Sequence, residues 1–121
     1  QIIEICNSAV NDESGNVVCM ERGSKLRYDV SREVRLIDIS EYPITSYERL
    51  KAFICGLYAG NYDISYVVID SLFKVANSSS IEEFEGFIDW AVEFGDKNGI
   101  RFTFTVSADQ NLATDKIKKF F

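Results

Sequence analysis

Histidine is absent from the 121-residue chain, which removes the commonest general base and the commonest nitrogen ligand for metals. Any chemistry must therefore rest on carboxylates, hydroxyls, lysine or the backbone. Proline occurs once and cysteine three times. Cys6, Cys19 and Cys55 sit among apolar neighbours and lack the close paired spacing of a zinc or redox motif, so they read as buried free thiols in a reducing compartment. No apolar run approaches the roughly 18 residues of a membrane span, and no basic stretch precedes an apolar one as in a secretory leader. A soluble, cytoplasmic protein is expected. Positive charge is scarce as well: 13 Lys and Arg face 19 Asp and Glu, a net charge of −6. Such a surface repels phosphate backbones, and no nucleic-acid partner is expected.

What is present is a globular composition. Hydrophobic residues make up 46% and charged residues 26%, enough apolar material for one core and one domain over 1–121. Ile2, Cys6, Ala9 and Val10 recur at helical spacing within Gln1–Glu13 and end at Ser14-Gly15. Val17-Val18-Cys19-Met20 follows as a short apolar run, the pattern of a strand covered on both faces. Glu21–Arg32 is polar and reads as an irregular crossing. Val34–Ile39 is a second strand, closed by Ser40-Glu41 and Pro43. Thr45 with Glu48 matches a capping box, and Leu50, Phe53, Ile54, Leu57 and Tyr58 share one face of the helix that Gly60 stops. Tyr66-Val67-Val68-Ile69 is the most strand-like run and ends abruptly in Asp70-Ser71.

Ser80 and Glu83 repeat the capping-box pattern ahead of a stripe of Ile81, Phe84, Phe87, Ile88, Ala91 and Val92. The opposite face carries Glu82, Glu85, Asp89, Glu93 and Asp96, a solvated surface. Asn98-Gly99 ends that helix. Phe102, Phe104 and Val106 alternate with threonines in a last strand that stops at Ser107, and a closing helix is expected from about Leu112, its Lys116, Lys118 and Lys119 near a helix C-terminus. Helices alternating with strands across long connections predict an α/β fold with a mostly parallel sheet and helices on both faces.

In such sheets ligands sit beyond the carboxyl ends of the strands. Those ends deliver Glu21, Ser40 with Glu41, Asp70 with Ser71, and Ser107 with Asp109. Acidic and hydroxyl oxygens suit a hard cation such as Mg²⁺, which takes one or two protein ligands and completes its shell with water and phosphate. Asp70 has the form of a Walker B carboxylate, one acid held at the end of a buried strand near a magnesium-bound water. The plainer reading is that Asp70 caps the turn that follows. Ser71 either assists the metal shell or begins that turn. Ser107 either meets a terminal phosphate or an attacking water, or caps the turn through Ala108-Asp109. A phosphate cradle is missing: neither G-x-x-x-x-G-K-[ST] nor G-x-G-x-x-G occurs. The stripe of the first helix is already running at Ile2 with no capping residue before it, so the natural chain is expected to start further upstream, with the cradle just before Gln1.

These stretches, together with Arg35-Leu36-Ile37-Asp38, Gly56–Ile64 and Phe104-Thr105-Val106-Ser107, resemble a family of small bacterial P-loop ATP-binding proteins of unassigned role. The likeness covers nearly the whole chain. It implies a P-loop NTPase-like three-layer sandwich without its first strand, ATP with Mg²⁺ at the carboxyl edge of the sheet, and Asp70 as the Walker B residue. Ala113 stands where that family carries a proline. No glutamate follows Asp70 to polarise water, so an ATPase activity of the parent protein stays an open expectation. A non-enzymatic interaction domain that keeps the fold is the alternative, and a flavodoxin-like or receiver-like domain ranks last. A sheet lacking its first strand would expose edges, which leaves homo-oligomerisation open.

Overall fold

The computed structural model describes residues 2–12, 15–23, 30–76 and 80–105. The elements run α1 (Ile2–Asp12), β1 (Asn16–Glu21), β2 (Val34–Asp38), α2 (Tyr47–Gly60), β3 (Ile64–Ile69), α3 (Leu72–Ala76), α4 (Ile81–Asn98) and β4 (Arg101–Phe104). A 3₁₀ turn at Ile39–Glu41 links β2 to the approach of α2. The fold is α/β. Its four strands lie in the order β2-β1-β3-β4, and every pairing among them is parallel. The expected closing helix, Ser107 and the lysines 116, 118 and 119 lie outside the described residues.

The strand periodicity explains the three layers. Along β1 and β3 side chains alternate between faces. Val18, Met20, Val67 and Ile69 join the cluster built with α2, α3 and α4, whereas Val17, Cys19, Tyr66 and Val68 join the one built with α1. Both strands are covered on both sides, which is why their sequences are unbroken apolar runs. The larger core centres on Phe87, fully buried, its ring 5.4 Å from Tyr47, 5.7 Å from Trp90 and 5.6 Å from Phe104.

Helix ends follow local chemistry. The Ser80 hydroxyl accepts from the Glu83 amide at 3.3 Å, as its capping pattern predicts. At α2 the cap is Ser46, whose hydroxyl accepts from the Arg49 amide at 3.2 Å. The expected Thr45 cap is thus displaced by one residue, because Ser and Thr are adjacent and either hydroxyl satisfies the same orphan amides. Gly99 closes α4 at φ 72. Gly95 allows α4 to approach the strand that follows: a Cβ there would lie 2.4 Å from the Ile100 carbonyl oxygen. Among the described residues, no helix is long and apolar enough to cross a membrane.

Candidate functional site at the carboxyl edge

The chain leaves β1 toward β2 on one side and reaches β3 and then β4 on the other, so the direction of winding reverses between β1 and β3. In doubly wound sheets the crevice at such a reversal, beyond the carboxyl ends of the strands, is where ligands bind. Three adjacent strands end there in an acid: Asp38 on β2, Glu21 on β1 and Asp70 immediately after β3. Glu21 stands opposite Asp38 in the register, and Met20 opposite Ile69, so Glu21 and Asp70 follow on neighbouring strands. The alternation that puts Met20 and Ile69 in the larger core directs the next residues toward the α1 layer. The charges of Asp70 and Glu21 are both felt at Cys19, and that of Asp70 also at Cys6 of α1.

Asp70 is held from two sides. Its amide donates to the Met20 carbonyl at 2.8 Å, and its Oδ1 accepts from the Thr105 hydroxyl at 2.7 Å. The same hydroxyl accepts from the Ser71 amide at 2.8 Å. Thr105 is fixed in turn, its amide donating to the Ile69 carbonyl at 3.0 Å and its carbonyl accepting from the Leu72 amide at 2.9 Å. Ser71 adopts φ 57, and it is the one non-glycine with positive φ among the described residues. A left-handed residue with a Cβ costs on the order of 1–2 kcal/mol, so the neighbouring contacts determine its conformation.

The other acids have different surroundings. Asp38 Oδ1 accepts from the Ser40 hydroxyl at 2.6 Å, the Ser40 amide at 2.9 Å and the Gly23 amide at 2.8 Å. The Ser40 hydroxyl, followed by these amides, holds the carboxyl below the usual carboxylate range. Glu21 is 1% exposed, so its carboxylate belongs to the interior beneath the edge. Arg22, next along, donates to the carbonyls of Lys74 at 2.8 Å, Val75 at 3.1 Å and Ile44 at 2.8 Å. That guanidinium ties the end of β1 to the end of α3 and to the loop before α2. Glu41 and Ser40 are exposed at the rim.

Asp70 and Ser71, adjacent in the chain, are both held by the Thr105 hydroxyl, and Thr105 reads in the sequence only as a strand position. Its role could have been suspected from its place at the end of β4, beside the end of β3. Cys6 and Cys19 are buried as expected and contact each other across α1 and β1, with the Cys19 thiol pushed far up by that contact and by burial. Cys55 departs from expectation: it lies exposed on α2, on the helix face turned from the sheet.

Cavity size alone would point elsewhere. A cavity of about 490 Å³ lies at the opposite, amino edge, lined by Asn16, Val34, Gly60 and Asn61 among others, and contains none of the expected site residues. One of about 220 Å³ lies at the carboxyl edge beside Gly23, Asp38, Glu41 and Tyr42. Chemistry favours the carboxyl edge, where the acids and the constrained backbone are. Among the described residues no three acids or thiols group closely enough to hold a metal on their own. A single fixed carboxylate such as Asp70 instead suits Mg²⁺, which keeps several waters and takes the rest of its shell from a phosphate ligand. Comparison with protein-family models, curated proteins and solved structures finds no match to this chain.

Proposed function

We propose that this domain serves a nucleotide-binding protein of the P-loop class, in which ATP with Mg²⁺ lies at the carboxyl edge of the sheet. The observation that supports this most directly is the fixing of Asp70, at the reversal of winding, by the Thr105 hydroxyl and the Met20 carbonyl. A bound Mg²⁺ would neutralise phosphate charge there. Asp70 would hold it through water, with Ser71 beside it and Ser107 near the terminal phosphate. Because Asp70 is already oriented, little side-chain entropy is lost on binding. The residues 1–121 contain no phosphate-cradling glycine motif, so the proposal rests on the acid at the carboxyl edge and not on a cradle.

Titration calorimetry of the natural full-length protein with Mg-ATP tests the assignment. Micromolar binding is expected, weakened tenfold or more by Asp70→Asn, a loss of about 1.4 kcal/mol. Equal binding by the variant, or none by the natural protein, overturns it. Phosphate release that Asp70→Ala abolishes would in addition exclude a purely non-enzymatic interaction domain.

A further inference from the structure

The amino edge of the sheet carries the cavity of about 490 Å³, a size that suits a small molecule. Its space comes from what α2 lacks. A Cβ at Gly56 or at Gly60 would meet no atom within 4 Å, so both glycines border open volume rather than a packing partner. α2 bears no charged side chain after Lys51. Leu57, half-buried, and Ile64 add apolar wall, so this side of the cavity favours an apolar body.

The other side is charged. Arg32 and Arg35 line it and are exposed, and among the described residues neither guanidinium has an ion-pair or hydrogen-bond partner. The remaining described arginines are all engaged: Arg22 and Arg49 donate to backbone carbonyls, and Arg101 lies over the Tyr66 ring. Glu33, exposed on the same lining, offsets one of the two charges. A net positive charge is left, in a chain whose sum is −6. α2 ends at Gly60, and its negative end therefore borders the cavity. One anionic group is accommodated at the arginines, and a second, beside that helix end, is repelled.

We propose that this cavity binds a small organic monoanion, an apolar ring or chain that carries a single oxyanion group. The apolar body lies along Gly56, Leu57 and Gly60, and the oxyanion accepts hydrogen bonds from Arg32 and Arg35, whose planar forks match such groups. The site is at the opposite end of the strands from Asp70 and does not depend on nucleotide binding there.

The dye 8-anilinonaphthalene-1-sulfonate has this chemistry and fluoresces more strongly in apolar surroundings. Titrated into the full chain, it is expected to show saturable one-to-one binding. Affinity should fall about tenfold in the double variant Arg32→Gln, Arg35→Gln, which loses the charged donors. Gly56→Leu should weaken it about as much by filling the cavity, while raising helix propensity so that the fold is kept. Lys97→Gln removes an exposed cation on α4 and should bind as the wild type does. N-phenyl-1-naphthylamine, the same body without the sulfonate, should bind about tenfold more weakly than the anion. Absence of saturable binding overturns the proposal. So does unchanged affinity in the arginine variant or in Gly56→Leu, an equal loss in Lys97→Gln, or equal binding of the neutral dye.

Discussion

Thr105→Val keeps the shape of the side chain and deletes the oxygen that joins Asp70 to Ser71. In the native protein that hydroxyl lies 2.7 Å from Asp70 Oδ1 and 2.8 Å from the Ser71 amide. A hydrogen bond to a charged group contributes about 1.5–3 kcal/mol and a neutral one about 0.5–1.5 kcal/mol. All three residues are only half-buried, so water replaces part of each bond in the variant. The expected net loss is about 1–2 kcal/mol, or roughly 3–10 °C in Tm for a domain of this size. Urea unfolding gives the free energy and a thermal scan the Tm. Thr105→Ser is the control: it retains the oxygen and loses one methyl, so it should fall within about 0.8 kcal/mol of the wild type. A double-mutant cycle with Asp70→Ala should show about 1 kcal/mol of coupling, because the two side chains share a bond. Equal losses in the Val and Ser variants, or additive effects in the cycle, would refute the view that this hydroxyl holds the edge together.

Three further outcomes follow from single residues. The Tyr47 hydroxyl is buried with no hydrogen-bond partner among the described residues, so Tyr47→Phe should stabilise the protein by about 1 kcal/mol, read as a higher urea midpoint at unchanged slope. Gly95→Ala would place a Cβ 2.4 Å from the Ile100 carbonyl oxygen and should cost about 1–3 kcal/mol, measured the same way. The Asp38 carboxyl is held below its ordinary range in the folded state by Ser40 and Gly23. Its contribution is therefore complete above the unfolded value of about 4 and is lost as pH falls through the depressed folded value. Asp38→Asn should flatten the acid side of the stability profile, and superimposable profiles would contradict this.

The parallel sheet was legible because burial on both faces leaves a plain trace: Val17–Met20 and Tyr66–Ile69 are apolar without alternation, and only a strand sandwiched between helix layers needs that. The α4 cap was legible for a similarly local reason, since Ser80 bonds an amide three residues away. The α2 cap was placed one residue early because two hydroxyl residues compete for the same role. α3 escaped notice because five residues are too short for a helical period to show. Asp70 could be picked out at the end of an apolar run. Its anchor could not, because Thr105 lies 35 residues away and only the pairing of β3 with β4 brings the two together. Cys55 illustrates the opposite failure: average burial says nothing about which face of an amphipathic helix a given residue occupies.

The strained residue at the edge connects these points. Ser71 sits where glycine would be the relaxed choice, yet its left-handed turn has definite consequences. It aims its amide at the Thr105 hydroxyl, and its carbonyl accepts from the Lys74 and Val75 amides at 2.9 and 3.1 Å, starting α3 at once. The far end of α3 is then gripped by Arg22, which leaves β1 one residue after Glu21. A closed circuit results: β1 to β3 through Met20 and Asp70, β3 to β4 through Thr105, and α3 back to β1 through Arg22. Loosening any member shifts the Asp70 carboxylate relative to the other strand ends. The cost of the Ser71 conformation is thereby spread over contacts that share one outcome, an acid fixed in position at the edge of the sheet.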